Sequence, residues 1–304
     1  MIKTEDLTKE YNGNKAVNDL NLIVKKGDVF GFLGPNGAGK TTTILMLTGM
    51  IEPTGGSCYI NRMDVTKNPL EVKRITGYLP EGVGFYNHLT ASQNLDFFAR
   101  FYEMNEEDRK RRIDELLPLV GLQGVQQKVG GYSRGMVQRL GIAQALLNDP
   151  DVIFLDEPTS NLDPEGVFQL RQTIKKLSDD GKTIFFSSHI LSEVSQVCKT
   201  VGIISKGKLV EHGTLDQIKK KMDVKKTVKI IVETTERMPK IEHEDIIDAE
   251  YKNKRAIIEA KSDIREFISK FILEKKKVII ELRMEEASLE DVFMDSIYQS
   301  GGER

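Results

Sequence analysis

The stretch GPNGAGKT, residues 34–41, decides how the rest of the chain is interpreted. The residues before it, LNLIVKKGDVFGFLG (20–34), predict two short strands that turn at Gly27, and those after it predict a helix from about Lys40 to Met50. A glycine-rich loop between a strand and a helix allows backbone N–H groups to surround a phosphate chain closely. The sequence therefore predicts a phosphate-binding loop at residues 34–41.

The residues of this loop have distinct predicted roles. Lys40 is expected to place its charge on the β- and γ-phosphates, and Thr41 is expected to ligate Mg²⁺. Loops of this type serve kinases, GTPases, helicases and transport ATPases, so other motifs must select among these classes. The predicted phosphate-contacting residues are Gly34, Asn36, Gly37, Ala38, Gly39, Lys40, Thr41 and Thr42.

Strands and helices alternate after the loop, which predicts an α/β core. Residues 91–147 are expected to be mostly helical, with interruptions at Pro118, Gly121 and the Gly130-Gly131 pair. The remaining core segments are strands at ITGYLP (75–80), DVIFLDEP (151–158) and KTIFFSSH (182–189), a helix over 164–178, and a hairpin over 201–214 that turns at Lys206-Gly207.

From about residue 223 the predicted strands become polar, which predicts a second, small α+β domain. Its segments are polar strands at 227–236, 255–260 and 277–283 and helices near 262–274 and 287–298.

Composition excludes several classes of protein. The 304 residues can bury one large core and a smaller one, and 44 basic against 46 acidic residues give a net charge of −2. Nucleic acid is therefore not an expected partner. Cys58 and Cys198 form no CxxC pair, which argues against zinc or a disulfide framework. No apolar run approaches the ~18 residues needed to cross a bilayer, so the chain is expected to be soluble.

An acidic pair ends the apolar run DVIFLDEP. A carboxylate such as Asp156 at the end of a buried strand is costly unless a cation meets it, which predicts Mg²⁺ there. Glu157 is expected to orient the water that attacks the γ-phosphate, so the pair favours hydrolysis over transfer to a small acceptor. A helix-capping role for the pair is the alternative.

The strand KTIFFSSH ends at His189. In a doubly wound sheet, residues at the carboxyl ends of adjacent strands face the same crevice. This placement predicts that His189 lies beside Asp156 and Glu157 and takes part in catalysis, whereas a lone histidine is otherwise more often structural.

Five motifs in order, GPNGAGKT, YSRGMVQR (132–139), FLDEP (154–158), SNLD (160–163) and SSH (187–189), resemble the ATP-binding subunit of an ATP-binding-cassette (ABC) transporter. The resemblance covers about residues 2–220. It implies an α/β P-loop NTPase core with an antiparallel β subdomain and an inserted helical subdomain at about 82–149. The predicted domains are an ABC-type ATPase at 1–222 and a small C-terminal accessory domain at 223–304.

The resemblance also implies cofactors, partners and location. ATP and Mg²⁺ are the expected cofactors. The expected partners are a transmembrane permease and a second copy of the chain, or a homologous ATPase subunit, bound head to tail. The chain would then be cytoplasmic and peripheral on the inner face of the membrane. A soluble ABC ATPase of translation or DNA repair, and a binding module whose C-terminal domain senses a ligand or mediates dimerisation, are the alternatives.

Further site residues follow from the same resemblance. Tyr11 holds the position of an aromatic that stacks on adenine, with a packed hairpin tyrosine as the alternative. Ser133 and Gly135, at a predicted helix start suited to anions, would bind the γ-phosphate of ATP held by the opposite subunit. An ordinary helix-capping serine is the alternative there. Asp163 matches a segment that crosses the dimer interface.

Three positions depart from the commonest pattern of the family. Glu81 stands where glutamine is usual and could offer an oxygen to Mg²⁺ or water. Arg134 replaces a glycine and Met136 replaces a glutamine. Together with the C-terminal extension that contains SLEDVFMDS (288–296), these features resemble the exporter branch that includes drug-resistance and sodium-efflux ATPases.

Six aromatic residues lie close together in the segment after Glu81. A helix formed by this segment would be apolar on nearly all of its faces. A groove that receives a helix of a transmembrane subunit and a fully buried subdomain helix are both compatible with this pattern. The six residues are Phe85, Tyr86, Phe97, Phe98, Phe101 and Tyr102.

Overall fold

The computed structural model describes residues 1–160, 162–218 and 228–286. The chain divides into two compact units, of which the first spans Met1–Leu215 and the second begins at Asp216. The predicted division between residues 222 and 223 falls outside the described residues and stays a prediction. Among the described residues, no helix has the length and apolar character needed to cross a membrane.

Two sheets organise the first unit. Its strands are β1 (Ile2–Tyr11), β2 (Asn14–Val24), β3 (Val29–Leu33), β4 (Gly55–Ile60), β5 (Met63–Asp64), β6 (Thr76–Leu79), β7 (Val152–Asp156), β8 (Thr183–Ser188), β9 (Thr200–Ser205) and β10 (Lys208–Thr214). Its helices are α1 (Lys40–Leu47), α2 (Pro69–Ile75), α3 (Ala91–Ala99), α4 (Glu106–Leu119), α5 (Arg134–Ala145), α6 (Pro164–Asp179) and α7 (Leu191–Ser195).

A six-stranded sheet in the order β10-β9-β3-β8-β7-β6 forms the core. Only β10 runs antiparallel to its neighbour, and β3, β7 and β8 are buried along their whole length. Leu33 pairs with Ser188, and Asp156 pairs with Ser187, so the carboxyl ends of these three strands meet at one edge. The predicted α/β class is confirmed, and this edge positions the site.

The other sheet is antiparallel, in the order β2-β1-β4-β5. The two strands predicted around Gly27 therefore belong to different sheets, because β2 pairs with β1 while β3 enters the parallel sheet. Both apolar runs form strands, but the sequence alone does not show with which strand each of them pairs.

The helical insertion contains α3, α4 and α5. Thr90 begins α3 with a capping box, in which its side chain and that of Gln93 bond each other's backbone N–H groups. The interruption predicted at Pro118 is wrong, since α4 continues through it to Leu119. Pro118 lies in the last turn, where its missing N–H removes a single hydrogen bond. Gly121, at φ 67°, follows the helix end.

Among the residues that the structure describes, the second unit contains an antiparallel sheet with a helix packed against it. Ile230, Val232, Ile258, Ile268 and Ile272 are fully buried in its core, which is separate from that of the first unit. The helix predicted over 287–298, with SLEDVFMDS, lies outside the described residues. The elements are β11 (Val228–Thr234), β12 (Ile246–Lys252), β13 (Arg255–Ala260), α8 (Arg265–Glu274) and β14 (Ile279–Glu286), with sheet order β12-β13-β11-β14.

Candidate nucleotide-binding and catalytic site

The loop between β3 and α1 is shaped by glycines that no other residue could replace without strain. Gly37 and Gly39 have φ values of 79° and 108°, in the left-handed region. A Cβ on Gly39 would lie 2.4 Å from the carbonyl oxygen of Ala16, and one on Gly34 would lie 2.4 Å from that of Ile204. Carbonyl groups of β2 and β9 therefore pack closely against the backbone of this loop. The left-handed glycines let the same backbone curve around a phosphate.

Lys40 is held inside this loop. Its Nζ donates hydrogen bonds to the carbonyl oxygens of Gly34, at 2.8 Å, and Pro35, at 3.2 Å. The same Nζ lies 3.1 Å from Oε1 of Glu157 in an ion pair whose side chains are only 6% and 9% exposed. Glu157 Oε1 has no partner with hydrogen-bond geometry, so this contact is electrostatic.

Asp156 lies at the end of β7 and is fully buried. Its Oδ1 accepts a hydrogen bond of 2.6 Å from the Ser187 hydroxyl, whose oxygen accepts one of 3.0 Å from the backbone N–H of Glu157. Its second oxygen, Oδ2, is buried without a hydrogen-bond partner. A buried carboxylate oxygen with no partner is costly unless a cation or donor approaches it.

Glu157 and His189 meet across the ends of β7 and β8. Glu157 has φ 48°, and its Oε2 lies 2.9 Å from Nδ1 of His189. Glu157 is buried, whereas the His189 side chain is 47% exposed. The carboxylate thus lies between Lys40 and His189, beside the phosphate loop.

Lys40 and Glu157 line a cleft of about 360 Å³ together with residues of the phosphate loop, whereas Asp156 and His189 are not among its lining residues. The structure brings most of the residues predicted around the phosphates into this single space, and Glu81 also lines it. Ala38 and Gly34 belong to the loop but are buried within it. The lining residues are Ala16, Asn36, Gly37, Gly39, Lys40, Thr41, Thr42, Glu81 and Glu157.

Four predicted nucleotide contacts lie outside both the phosphate loop and the lining of this cleft. Tyr11, at the end of β1, is 47% exposed with Lys9 Nζ 5.2 Å above its ring. Ser133 caps α5, and its Oγ accepts a hydrogen bond of 3.2 Å from the Met136 N–H. Asp163 caps α6 in the same way through the Gly166 N–H. Gly135 lies in the first turn of α5, beside Ser133.

Sequence reasoning missed residues that hold the site together. Ser187 connects Asp156 to Glu157, and its signal in the sequence is its place among the polar residues that end the buried strand β8. Gln138 is buried in α5 and donates a 3.3 Å hydrogen bond to the carbonyl oxygen of Pro158. Ala16 has no chemical signal, because only the fold brings β2 to the cleft.

The fold and this cleft define a P-loop ATPase of the ABC class. Residues 17–160 match the family model of ABC transporters. The bacitracin transport ATP-binding protein BcrA of Bacillus licheniformis is 43% identical over 301 residues, which cover 98% of this chain and 97% of that protein. The chain therefore belongs to the ATP-binding subunits of ABC transporters, and its predicted ATPase activity is confirmed at the level of the family.

Other relatives agree with this assignment. The ATP-binding protein NatA of Bacillus subtilis is 40% identical over 224 residues, covering 72% of this chain and 91% of that protein. A dimeric ATP-binding cassette, MJ0796, solved in a post-hydrolysis state with ADP and Pi, matches with a TM-score of 0.66 and 27% identity over 71% of this chain and 99% of that one. The similarity to BcrA spans both units, and the predicted resemblance to an exporter branch is supported.

Proposed function

We propose that the chain dimerises head to tail on ATP and drives a separate transmembrane permease that exports its solute. The observation that carries the proposal is the meeting of Lys40, Asp156, Glu157 and His189 at one edge of the core sheet. Charge that develops on the γ-phosphate would be neutralised by Lys40, while Glu157 would orient the attacking water. His189, which lies beside Glu157 and is half exposed, would contact the same phosphate.

Mg²⁺ fits the donor set of the cleft. Among the described residues, no cluster of three or more His, Cys, Asp or Glu side chains could hold a metal, so an ion bound here would take its further ligands from the nucleotide and water. Thr41 lines the cleft, and the unpartnered Oδ2 of Asp156 offers a buried anionic oxygen at the end of β7. Thr41 and Asp156 would hold the ion, with Glu81 as a further oxygen donor. The bound ion would lower the charge of the phosphates.

The remaining predicted site residues would contact the adenine ring or the second subunit. Tyr11 is exposed enough to stack on adenine. Ser133 and Gly135 lie at the N-terminus of the 12-residue helix α5, where backbone N–H groups favour an anion such as the partner's γ-phosphate. Asp163 lies on the surface at the start of α6, where it can contact a second copy of the chain. The dimeric cassette structure similar to this chain supports such an assembly.

A groove of about 420 Å³ is the proposed contact with the permease. Its walls are mainly apolar and aromatic, and Tyr86 and Phe101 of the neighbouring aromatic cluster are 44% and 72% exposed. This exposure favours a groove that receives a helix over a fully buried subdomain helix. The groove is lined by Thr48, Met50, Lys73, Thr76, Tyr78, Pro80, Val83, Gly84, Phe98, Tyr102, Gln144 and Ala145.

One segment lies between this groove and the nucleotide cleft. Pro80, Val83 and Gly84 line the groove, whereas Glu81 lines the cleft. A Cβ on Gly141 of α5 would lie 2.9 Å from Val83, so α5 also packs tightly against this segment. Movement of a bound permease helix would therefore reach both Glu81 and α5, the helix that Ser133 caps.

The relatives suggest which solute to test. BcrA of Bacillus licheniformis is named for bacitracin transport, and its similarity extends along nearly the whole chain. We propose bacitracin as the first solute, a cytoplasmic location on the membrane through the permease, and an ATPase domain at 1–222 with an accessory domain at 223–304.

Coexpression with the protein of the neighbouring reading frame tests the function. We expect that frame to encode about six apolar spans of ~20 residues and its product to copurify with this chain. In proteoliposomes, the exported solute should stimulate ATP hydrolysis. Hydrolysis with no membrane partner and no stimulation would instead favour the soluble ABC ATPase.

A further inference from the structure

A short turn follows Glu157 and leads toward Asp163. The Ser160 N–H bonds the Glu157 carbonyl oxygen at 3.1 Å, and the Ser160 hydroxyl contacts the same oxygen. Glu157 itself has φ 48°, a conformation that L-residues adopt only when their surroundings hold them in it. The position of the Glu157 carboxylate therefore depends on what holds this turn.

Glu193 contacts this turn from the other side of the site. Its Oε2 accepts a hydrogen bond of 2.6 Å from the Thr159 hydroxyl and one of 3.0 Å from the Ser188 hydroxyl. Thr159 lies two residues after Glu157, and Ser188 directly precedes His189. A single carboxylate oxygen thus links the turn that carries Glu157 to the strand end that carries His189.

The Ser188 hydroxyl extends this link to the backbone around the histidine. Its oxygen accepts a 3.0 Å hydrogen bond from the Ile190 N–H while it donates to Glu193. The backbone on both sides of His189 is therefore fixed, although the His189 side chain is 47% exposed. This arrangement keeps Nδ1 within 2.9 Å of Glu157 Oε2.

We propose that Glu193 is a positioning residue for ATP hydrolysis, which holds Glu157 and His189 in the mutual geometry that turnover requires. Glu193 is not among the residues that line the cleft, and its carboxylate contacts Thr159 and Ser188, so it would act on the site through these two hydroxyls. Hydrogen bonds to a carboxylate are stronger than neutral ones, and both hydroxyls are buried, so a lost acceptor leaves them unsatisfied. The inference rests on the roles proposed for Glu157 and His189.

The test compares Glu193→Ala with Glu193→Gln in the full chain. The alanine variant should lower kcat by about 10- to 100-fold, the effect of a misplacement on the order of 1 Å, with KM for ATP within about 3-fold of the parent. A glutamine oxygen can still accept both hydroxyl protons, so the Glu193→Gln variant should recover most of kcat. Glu165→Ala, which removes an exposed carboxylate from the first turn of α6, is the matched control.

Thr159→Val and Ser188→Ala remove the two donors one at a time. Each should lower kcat in the parent chain. Thr159→Val should add nothing to Glu193→Ala, because Thr159 acts through that carboxylate, whereas Ser188→Ala also removes the acceptor of the Ile190 N–H and should add a further loss. Additive losses from Thr159→Val and Glu193→Ala would overturn the proposal. So would an unchanged kcat in Glu193→Ala, or a glutamine variant no better than alanine.

Two further variants separate this inference from the proposed function. If Glu157→Gln hydrolyses ATP at the parent rate, the role of Glu157 fails and the inference falls with it. If Glu157→Gln and His189→Ala are slow but Glu193→Ala is not, only the inference fails.

Discussion

Glu157 Oε2 lies 2.9 Å from His189 Nδ1, although the two residues are 32 positions apart in the chain. The contact exists because β7 and β8 are parallel neighbours whose carboxyl ends meet. On its other side the same carboxylate lies 3.1 Å from Lys40 Nζ. One acidic group is thereby placed between the lysine of the phosphate loop and the exposed histidine.

The first prediction separates binding from chemistry. Lys40→Ala should weaken ATP binding, because the charge on the β- and γ-phosphates is lost. Glu157→Gln should keep ATP binding and lower turnover by at least ~100-fold, since an amide cannot act as a base. Phosphate release and a nucleotide titration measure the two effects. Hydrolysis at the parent rate in Glu157→Gln would show that the base is another group.

His189→Ala is the second prediction. The side chain is 47% exposed and contacts Glu157 rather than lining the cleft around the phosphate loop, so ATP affinity should be unchanged. Turnover should fall by at least ~10-fold, as expected for a transition-state contact. The two turnover rates can be compared only if the His189→Ala variant has the same thermal unfolding midpoint as the parent protein. An unchanged turnover would make His189 a structural residue.

The order of strands and helices could be predicted because apolar runs and glycine punctuation are local signals. The loop at 34–41 and the strand ends at Asp156 and His189 were located in this way. The contacts of Ser187, Gln138 and Glu193 could not be predicted from the sequence, because each contact joins segments far apart in the chain through a single polar side chain. Such contacts are fixed by the tertiary fold and leave no periodic pattern.

The third prediction concerns pH and the helical insertion. Hydrogen bonds from Arg109 and Arg100 hold the pKa of Asp96 below its ordinary value. A depressed carboxyl pKa stabilises the fold above the unfolded pKa, and this contribution is lost as pH falls through the folded pKa. Asp96→Asn should therefore cost about 1 kcal/mol near neutral pH and less at an acidic pH below the ordinary carboxyl pKa of 3.8.

Urea unfolding at both pH values measures this difference. Asp114→Asn, which changes an exposed aspartate of α4, is the control and should differ little from the parent at either pH. An Asp96→Asn penalty of equal size at both pH values would mean that the ion pair with Arg109 does not stabilise the insertion.

The fourth prediction concerns the cysteines. Burial raises the pKa of the Cys58 thiol to about 12 and raises the pKa of Cys198 as well. Thiolate is the reactive form, so neither should react with a thiol reagent in the folded protein near neutral pH. Both should react in denaturant. Rapid labelling of one cysteine in the native chain, located by mass spectrometry, would contradict the burial described for it.

The last prediction concerns Ser133 and the dimer. If the N-terminus of α5 binds the γ-phosphate of a nucleotide held by a second copy, ATP should draw two chains together where ADP does not. The Glu157→Gln chain, which consumes ATP slowly, should therefore shift from monomer to dimer on adding ATP. Adding Ser133→Arg should block the shift through bulk and a misplaced charge, yet leave the monomer's own ATP affinity almost unchanged.

Because Ser133 also caps α5, loss of the cap must be separated from loss of the interface. Asn105→Ala removes the equivalent cap of α4, at a cost of about 1 kcal/mol, and should leave the dimer intact. Size-exclusion chromatography with light scattering, beside a nucleotide titration, measures both properties. If the Ser133→Arg double mutant still dimerises with ATP, α5 is not at the interface. If it loses monomer affinity as well, Ser133 serves its own nucleotide, and the head-to-tail arrangement is wrong.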